Sequence, residues 1–92
     1  MNNKVTINPV YVLNWDFKHI FSYKLMFHIL SHYNTNIKAI IIDKQDIKLR
    51  YNSNSYSINS ALKELIDKDI ILPCEDYKDK YKINNKFFTY FK

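Results

Sequence analysis

Ile47-Lys48-Leu49-Arg50-Tyr51-Asn52-Ser53-Asn54-Ser55-Tyr56-Ser57-Ile58-Asn59-Ser60-Ala61-Leu62-Lys63-Glu64-Leu65 is the stretch whose pattern decides the fold. Ile47 and Tyr51 are one helical turn apart and can face the same side. After the polar turn Asn52-Ser53-Asn54, the residues Ile58, Ala61, Leu62, Leu65 and Ile66 recur at helical spacing, in a helix that ends near Lys68. Asp43, just upstream, is an N-cap for a short helix over Lys44 to Tyr51. The spacing therefore predicts a helix-turn-helix over residues 47–65, with Ala61 letting the two helices approach closely.

Opposite the apolar stripe of the second helix lie Ser55, Tyr56, Ser57, Asn59, Ser60 and Lys63. A helix entering the major groove needs side chains of this kind. Asn59 can bond adenine bidentately, Tyr56 and the serines can reach base edges or phosphate, and Lys63 can pair with phosphate. Lys44, Lys48 and Arg50 on the preceding helix are expected to anchor phosphates. The plainer reading of the same residues is a helix start and a solvated face.

Working outward, Phe17 to Tyr33 reads as an earlier helix, with Phe17, Ile20, Phe21, Tyr23, Met26, Phe27, Leu30 and Tyr33 at roughly helical spacing. Asp16 or Ser22 is the expected cap at its start. Leu25 and Ile29 fall off that stripe, so this helix is expected to be apolar on a second face, covered by the N-terminal arm, the C-terminal tail or a partner subunit. Lys38 to Ile42 is a β-branched run that fits a strand, and Ile70 to Cys74 and Lys80 to Asn84 fit two more around the charged loop Glu75 to Asp79. The expected class is α+β: a winged helix-turn-helix with a three-helix core and a small antiparallel sheet. Residues 1–16, with β-branched and aromatic residues around Pro9, read as an edge strand or an extended arm, 70–84 as the wing hairpin and 85–92 as an aromatic tail. Lys78, Lys80 and Lys82 are candidate DNA contacts on the wing, nearly cancelled by Glu75, Asp76 and Asp79 in the same loop.

Length and composition agree with a single domain over residues 1–92. The hydrophobic fraction of 47% supplies a core, which argues against disorder. Fourteen basic against nine acidic residues leave a net charge of +5, which suits an anionic partner without demanding one. The single Cys74 excludes an intramolecular disulfide, and no secretory signal or membrane span is visible, so a reducing, cytoplasmic setting is expected. There is no glycine. Turns must fall to Asn and similar residues, and the pairs Asn34/Asn36, Asn52/Asn54 and Asn84/Asn85 mark them.

Nothing in the chain reads as catalytic, and no cofactor is expected. His28 and His32 have a spacing that can place two imidazoles on one metal, but no neighbouring Glu or Cys completes a ligand set, so no metal is expected. A strand-nicking tyrosine would need a divalent metal held by a close histidine motif, and no such motif appears. Without glycine there is no phosphate-cradling loop. Cys74 reads as a small core or interface residue. The tail residues Phe87, Phe88, Tyr90 and Phe91 could stack on single-stranded nucleic acid, but packing against Trp15, Tyr11 and Val12 of the arm is preferred. A homodimer through the arm, the first helix or the tail would bury these groups.

Ser57-Ile58-Asn59-Ser60-Ala61-Leu62-Lys63-Glu64-Leu65 followed by Asp69-Ile70-Ile71 resembles the recognition helix and first wing strand of many bacterial winged-helix proteins. Tyr81-Lys82-Ile83-Asn84 followed by Phe87-Phe88 is similar to the returning wing strand of the RepL family of Gram-positive plasmid replication proteins. The likeness extends over about residues 22–88. Asn85 stands where that family's pattern has Pro, and Asn52 where the turn usually has Gly. The resemblance implies a double-stranded-DNA-binding protein in replication initiation or control of a plasmid or other mobile element, with replication proteins as further partners. It implies no catalytic residues. A transcriptional repressor on the same fold, or a winged helix used for protein docking, would share these sequence features.

Overall fold

Asp43 and Asn54 start the two helices of the central motif with their own side chains. Asp43 Oδ1 accepts hydrogen bonds from the amides of Gln45 and Asp46 at 3.1 and 3.2 Å, and Asn54 Oδ1 accepts from Ser57 at 2.8 Å. Each removes orphan donors that a helix start leaves exposed. The computed structural model describes the chain over residues 4–7 and 15–91, with side chains at 5, 7 and 15–88. Within them the elements run β1 (Lys4–Ile7), α1 (Ile20–His32), β2 (Ile40–Ile41), α2 (Lys44–Arg50), α3 (Ser55–Asp67), β3 (Ile71–Pro73), β4 (Lys80–Ile83) and β5 (Phe88–Phe91).

Both helices of the central motif stop without glycine. After α2 the residue Asn52 turns left-handed at φ 51°, and Ser53 N–H bonds back to the Lys48 carbonyl at 3.0 Å. After α3, Asp69 does the same at φ 59°, with Asp69 N–H on Ile66 O at 3.0 Å and Ile70 N–H on Leu65 O at 2.9 Å. These back-bonds satisfy the last carbonyls of each helix, as in a Schellman ending. Asn34 and Asn84 also mark turns, but as side-chain acceptors. Asn34 Oδ1 takes the amides of Asn36 and Ile37, and Asn84 Oδ1 takes that of Lys86. Two further left-handed residues, Lys38 and Asp79, fall outside the asparagine pairs.

The described strands form two antiparallel sheets. In the larger, β4 lies between β2 and β3, with Ile40 opposite Tyr81 and Ile71 opposite Ile83. A small α+β domain results, with three helices and a three-stranded antiparallel sheet, a layout compatible with a winged helix. The second sheet pairs β1 with β5, so the arm and the tail bond to each other within one chain. Trp15 seals that corner, packing edge-on to Phe87 with ring centroids 5.5 Å apart and against Phe17 at 5.7 Å. Phe87 and Phe88 are buried. Tyr11 and Val12, expected in the same cluster, lie outside the described residues, as do the side chains of Tyr90 and Phe91.

The core joins Leu25, Met26, Ile29 and Tyr33 of the α1 region to Ile47, Ile58, Ala61, Leu62 and Leu65, under Ile70, Ile71 and Ile83. Tyr51, expected in the core beside Ile47, is half-buried at its edge. Four expectations need correction. The α1 stripe is rotated: Leu25 and Ile29 are innermost, whereas Ile20 is 90% exposed and Phe27 54%. α1 starts later than Phe17, and neither Asp16 nor Ser22 caps it; its N-cap is His19, which makes no side-chain cap bond. The strand expected over 38–42 shrinks to Ile40–Ile41, because the chain is still turning at Lys38, φ 57°. Cys74 follows β3 rather than lying in it, half-buried, with its amide on the Lys80 carbonyl at 2.8 Å.

Asn52 supplies a test of the turn. Asn52→Ala should destabilise the protein by about 1 kcal/mol in urea unfolding, because a side chain without a local acceptor tolerates the left-handed region poorly. Asn52→Gly should match or exceed the parent.

Candidate nucleic-acid interface

α3 is held from three sides, and that leaves one arc to solvent. Ile58, Ala61, Leu62 and Leu65 face the core, while Tyr56, 75% exposed, and Ser55, Asn59 and Lys63 point outward. Ser57 and Ser60 are half-buried at the margins of this arc. All six outward residues expected on α3 therefore reach the surface. Their chemistry is neutral apart from Lys63, whose Nζ sits 3.0 Å from Asp67 Oδ2 one turn on.

Half of the six flanking cations are engaged within the chain. Arg50 Nε lies 3.3 Å from Asp46 Oδ2, Lys44 Nζ 3.9 Å from Asp79 Oδ1, and Lys80 Nζ 2.9 Å from Asp76 Oδ2. The Asp76–Lys80 hydrogen bond holds the Asp76 carboxyl below, and the Lys80 ammonium above, their ordinary ranges. Lys48, Lys78 and Lys82 have no ion-pair partner within 4.0 Å among the described residues. On the wing, Lys82 stands opposite Leu72 and is exposed, whereas Lys80 is half-buried. Asp79 ties the wing loop to the start of the helix-turn-helix, because its carbonyl accepts the Ile42 amide at 2.8 Å. Lys44, Tyr77 and Lys78 line one shallow groove there.

The residue that sequence reasoning missed is Glu64. It lies on α3 but is only 8% exposed, aimed at the start of α1. Its Oε2 accepts the Lys18 amide, and its Oε1 accepts the His19 amide at 3.1 Å and the Ser22 hydroxyl at 2.6 Å. Burial by itself would raise this carboxyl. The bonds from Ser22, Lys18 and His19 outweigh that and hold it below the ordinary glutamate value of 4.5. Glu64 thus serves α1 as a cap borrowed from another helix. The only signal in the sequence was the odd polarity of Ser22 among apolar neighbours.

A second polar joint links α1 to α2. His28 Nδ1 is 2.7 Å from the Tyr51 hydroxyl, and the His28 and His32 rings stack 4.2 Å apart. Burial pushes the His28 imidazole below 6.5, and the neighbouring His32 and Arg50 add to this against a smaller opposing pull from Asp46. Among the described residues, no group of three or more His, Cys, Asp or Glu side chains could hold a metal. No described helix is long and apolar enough to cross a membrane.

Compared with known proteins, the chain matches no family model, no curated protein and no solved structure.

Glu64 makes stability depend on pH in a stated direction. Its folded pKa lies below the ordinary value, so its contribution is present above pH 4.5 and is lost as pH falls through the lower folded value. Urea midpoints measured from neutral pH downward should fall through that window in the parent and less in Glu64→Gln. At neutral pH, Glu64→Ala should cost about 2–4 kcal/mol, because it strands two amides and a hydroxyl.

Proposed function

We propose that this chain is a winged helix-turn-helix protein that binds double-stranded DNA, with α3 entering the major groove. One observation carries the reading: the arc of α3 opposite its core face is exposed and offers Tyr56, Asn59, Ser60 and Lys63 as hydrogen-bonding groups. The order β2-α2-α3-β3-β4 with β4 central in its sheet supports it, since a winged helix has this connectivity. In this arrangement Asn59 and Tyr56 are the candidates for reading bases, and Lys63 for a phosphate. The intramolecular ion pairs do not oppose the reading. Exposed pairs contribute about 0–1 kcal/mol, so a phosphate can replace Asp67 beside Lys63.

Within the reading, a role in replication initiation or control of a mobile element rests on the resemblance around Tyr81-Lys82-Ile83-Asn84 alone. A docking module for another protein is the competing reading. It is favoured by Leu49, 78% exposed on α2, and by Ile20 and Phe27 on α1.

Selection of bound duplexes from a random pool tests the proposal, and a recurring site would also report the symmetry of the bound species. The double change Asn59→Ala, Lys63→Ala should abolish retention on the selected site while leaving the melting temperature nearly unchanged. Retention by the double variant at parental affinity would sink the α3 assignment. Asp67→Asn, which releases Lys63, should tighten binding at low salt.

A further inference from the structure

Beside the exposed arc of α3 runs a groove of about 450 Å³, lined on one wall by Tyr56, Ser60, Lys63 and Lys68 and on the other by Lys18 and His19. The second wall comes from the turn before α1, far away in sequence. Three lysines and a histidine therefore border one open channel against two carboxylates. Glu64 is buried with its oxygens taken by the Lys18 and His19 amides and the Ser22 hydroxyl, and Asp67 pairs with Lys63, which leaves Lys18 and Lys68 as the excess positive charge. Lys18 and Lys68 have no ion-pair partner within 4.0 Å among the described residues, unlike Lys44, Arg50 and Lys80.

The backbone of Lys18 and His19 is fixed to α3 itself by the Glu64 carboxylate. An ammonium launched from a fixed backbone position loses less freedom on meeting a phosphate than one on a loose arm. We infer that this groove holds the sugar–phosphate backbone of the DNA strand flanking α3, with Lys18 and Lys68 as phosphate contacts and Glu64 as the positioning residue that sets Lys18 beside the recognition face. The inference rests on the duplex-DNA reading and adds a contact surface from the α1 turn, separate from the α2 and wing lysines.

The test is anisotropy titration of a labelled random-sequence duplex with the full chain at a series of salt concentrations. Each phosphate contact on B-DNA contributes about 0.9 to the slope of log affinity against log salt. Lys18→Ala and Lys68→Ala should each weaken binding and lower that slope by about one. Lys24→Ala, whose ammonium lies 6.0 Å from the Tyr51 ring centroid in a different groove, should leave the slope unchanged. Melting curves should coincide for all of them. Parental slopes for Lys18→Ala and Lys68→Ala, with salt-dependent binding intact in the parent, overturn the groove and spare the DNA reading. Absence of any salt-dependent duplex binding by the parent overturns both. Binding of inorganic phosphate by the parent, lost in Lys18→Ala but without affinity for the duplex, would mean an isolated anion site and also overturns the inference.

Discussion

A buried carboxylate joins the first and third helices, and the geometry of the exposed surface follows from it. Glu64 leaves α3 on the side that would otherwise be apolar and is met by two amides and one hydroxyl from the α1 start. An ionised side chain in that position is tolerable only because its acceptors are filled. In return α1 gains the cap that His19 does not give it. The same bonds fix the roll of α3, since turning it would withdraw Glu64 from its donors and lift Leu62 and Leu65 from the core. The outward arc of Tyr56, Asn59 and Lys63 is therefore set by an interaction on the hidden side of the helix.

This joint also explains where the sequence was legible and where it was not. The stretch 47–65 could be read residue by residue, because its core positions are apolar, its turn is polar and its caps are Asp43 and Asn54. Hydropathy and burial agree there except at Leu49, which is exposed, and Glu64, which is buried. On α1 they disagree: Ser22 and His28 are inside, each with a polar partner from another helix, while Ile20 and Phe27 are outside. A rule that sends polar residues outward rotates such a helix by the wrong amount. No local pattern reveals that Ser22 will meet a carboxylate, because the partner is 42 residues further along the chain. The candidate site divides in the same way. Its α3 wall was visible in the sequence, whereas Lys18 and His19 were not, since their nearness to that wall is a product of the fold.

The lack of glycine bears on both helix ends in the central motif. Asn52 and Asp69 occupy left-handed positions at a conformational cost that glycine would not incur. Each is offset by back-bonds onto helix carbonyls and, after α3, by Asn84 Nδ2 donating to the Asp69 carbonyl at 2.8 Å. The wing's returning strand thus steadies the end of the helix that it follows.

The pairing of β1 with β5 carries a kinetic consequence. It brings Lys4 opposite Phe91, so nearly the whole chain is the loop that this ladder closes. Closing so long a loop is entropically unfavourable until the intervening chain has already condensed. The helices and the three-stranded sheet close shorter loops, such as Ser22 to Glu64 and Ile40 to Tyr81, and can assemble first. The terminal strands would then zip together late, as a strap drawn around a domain already formed.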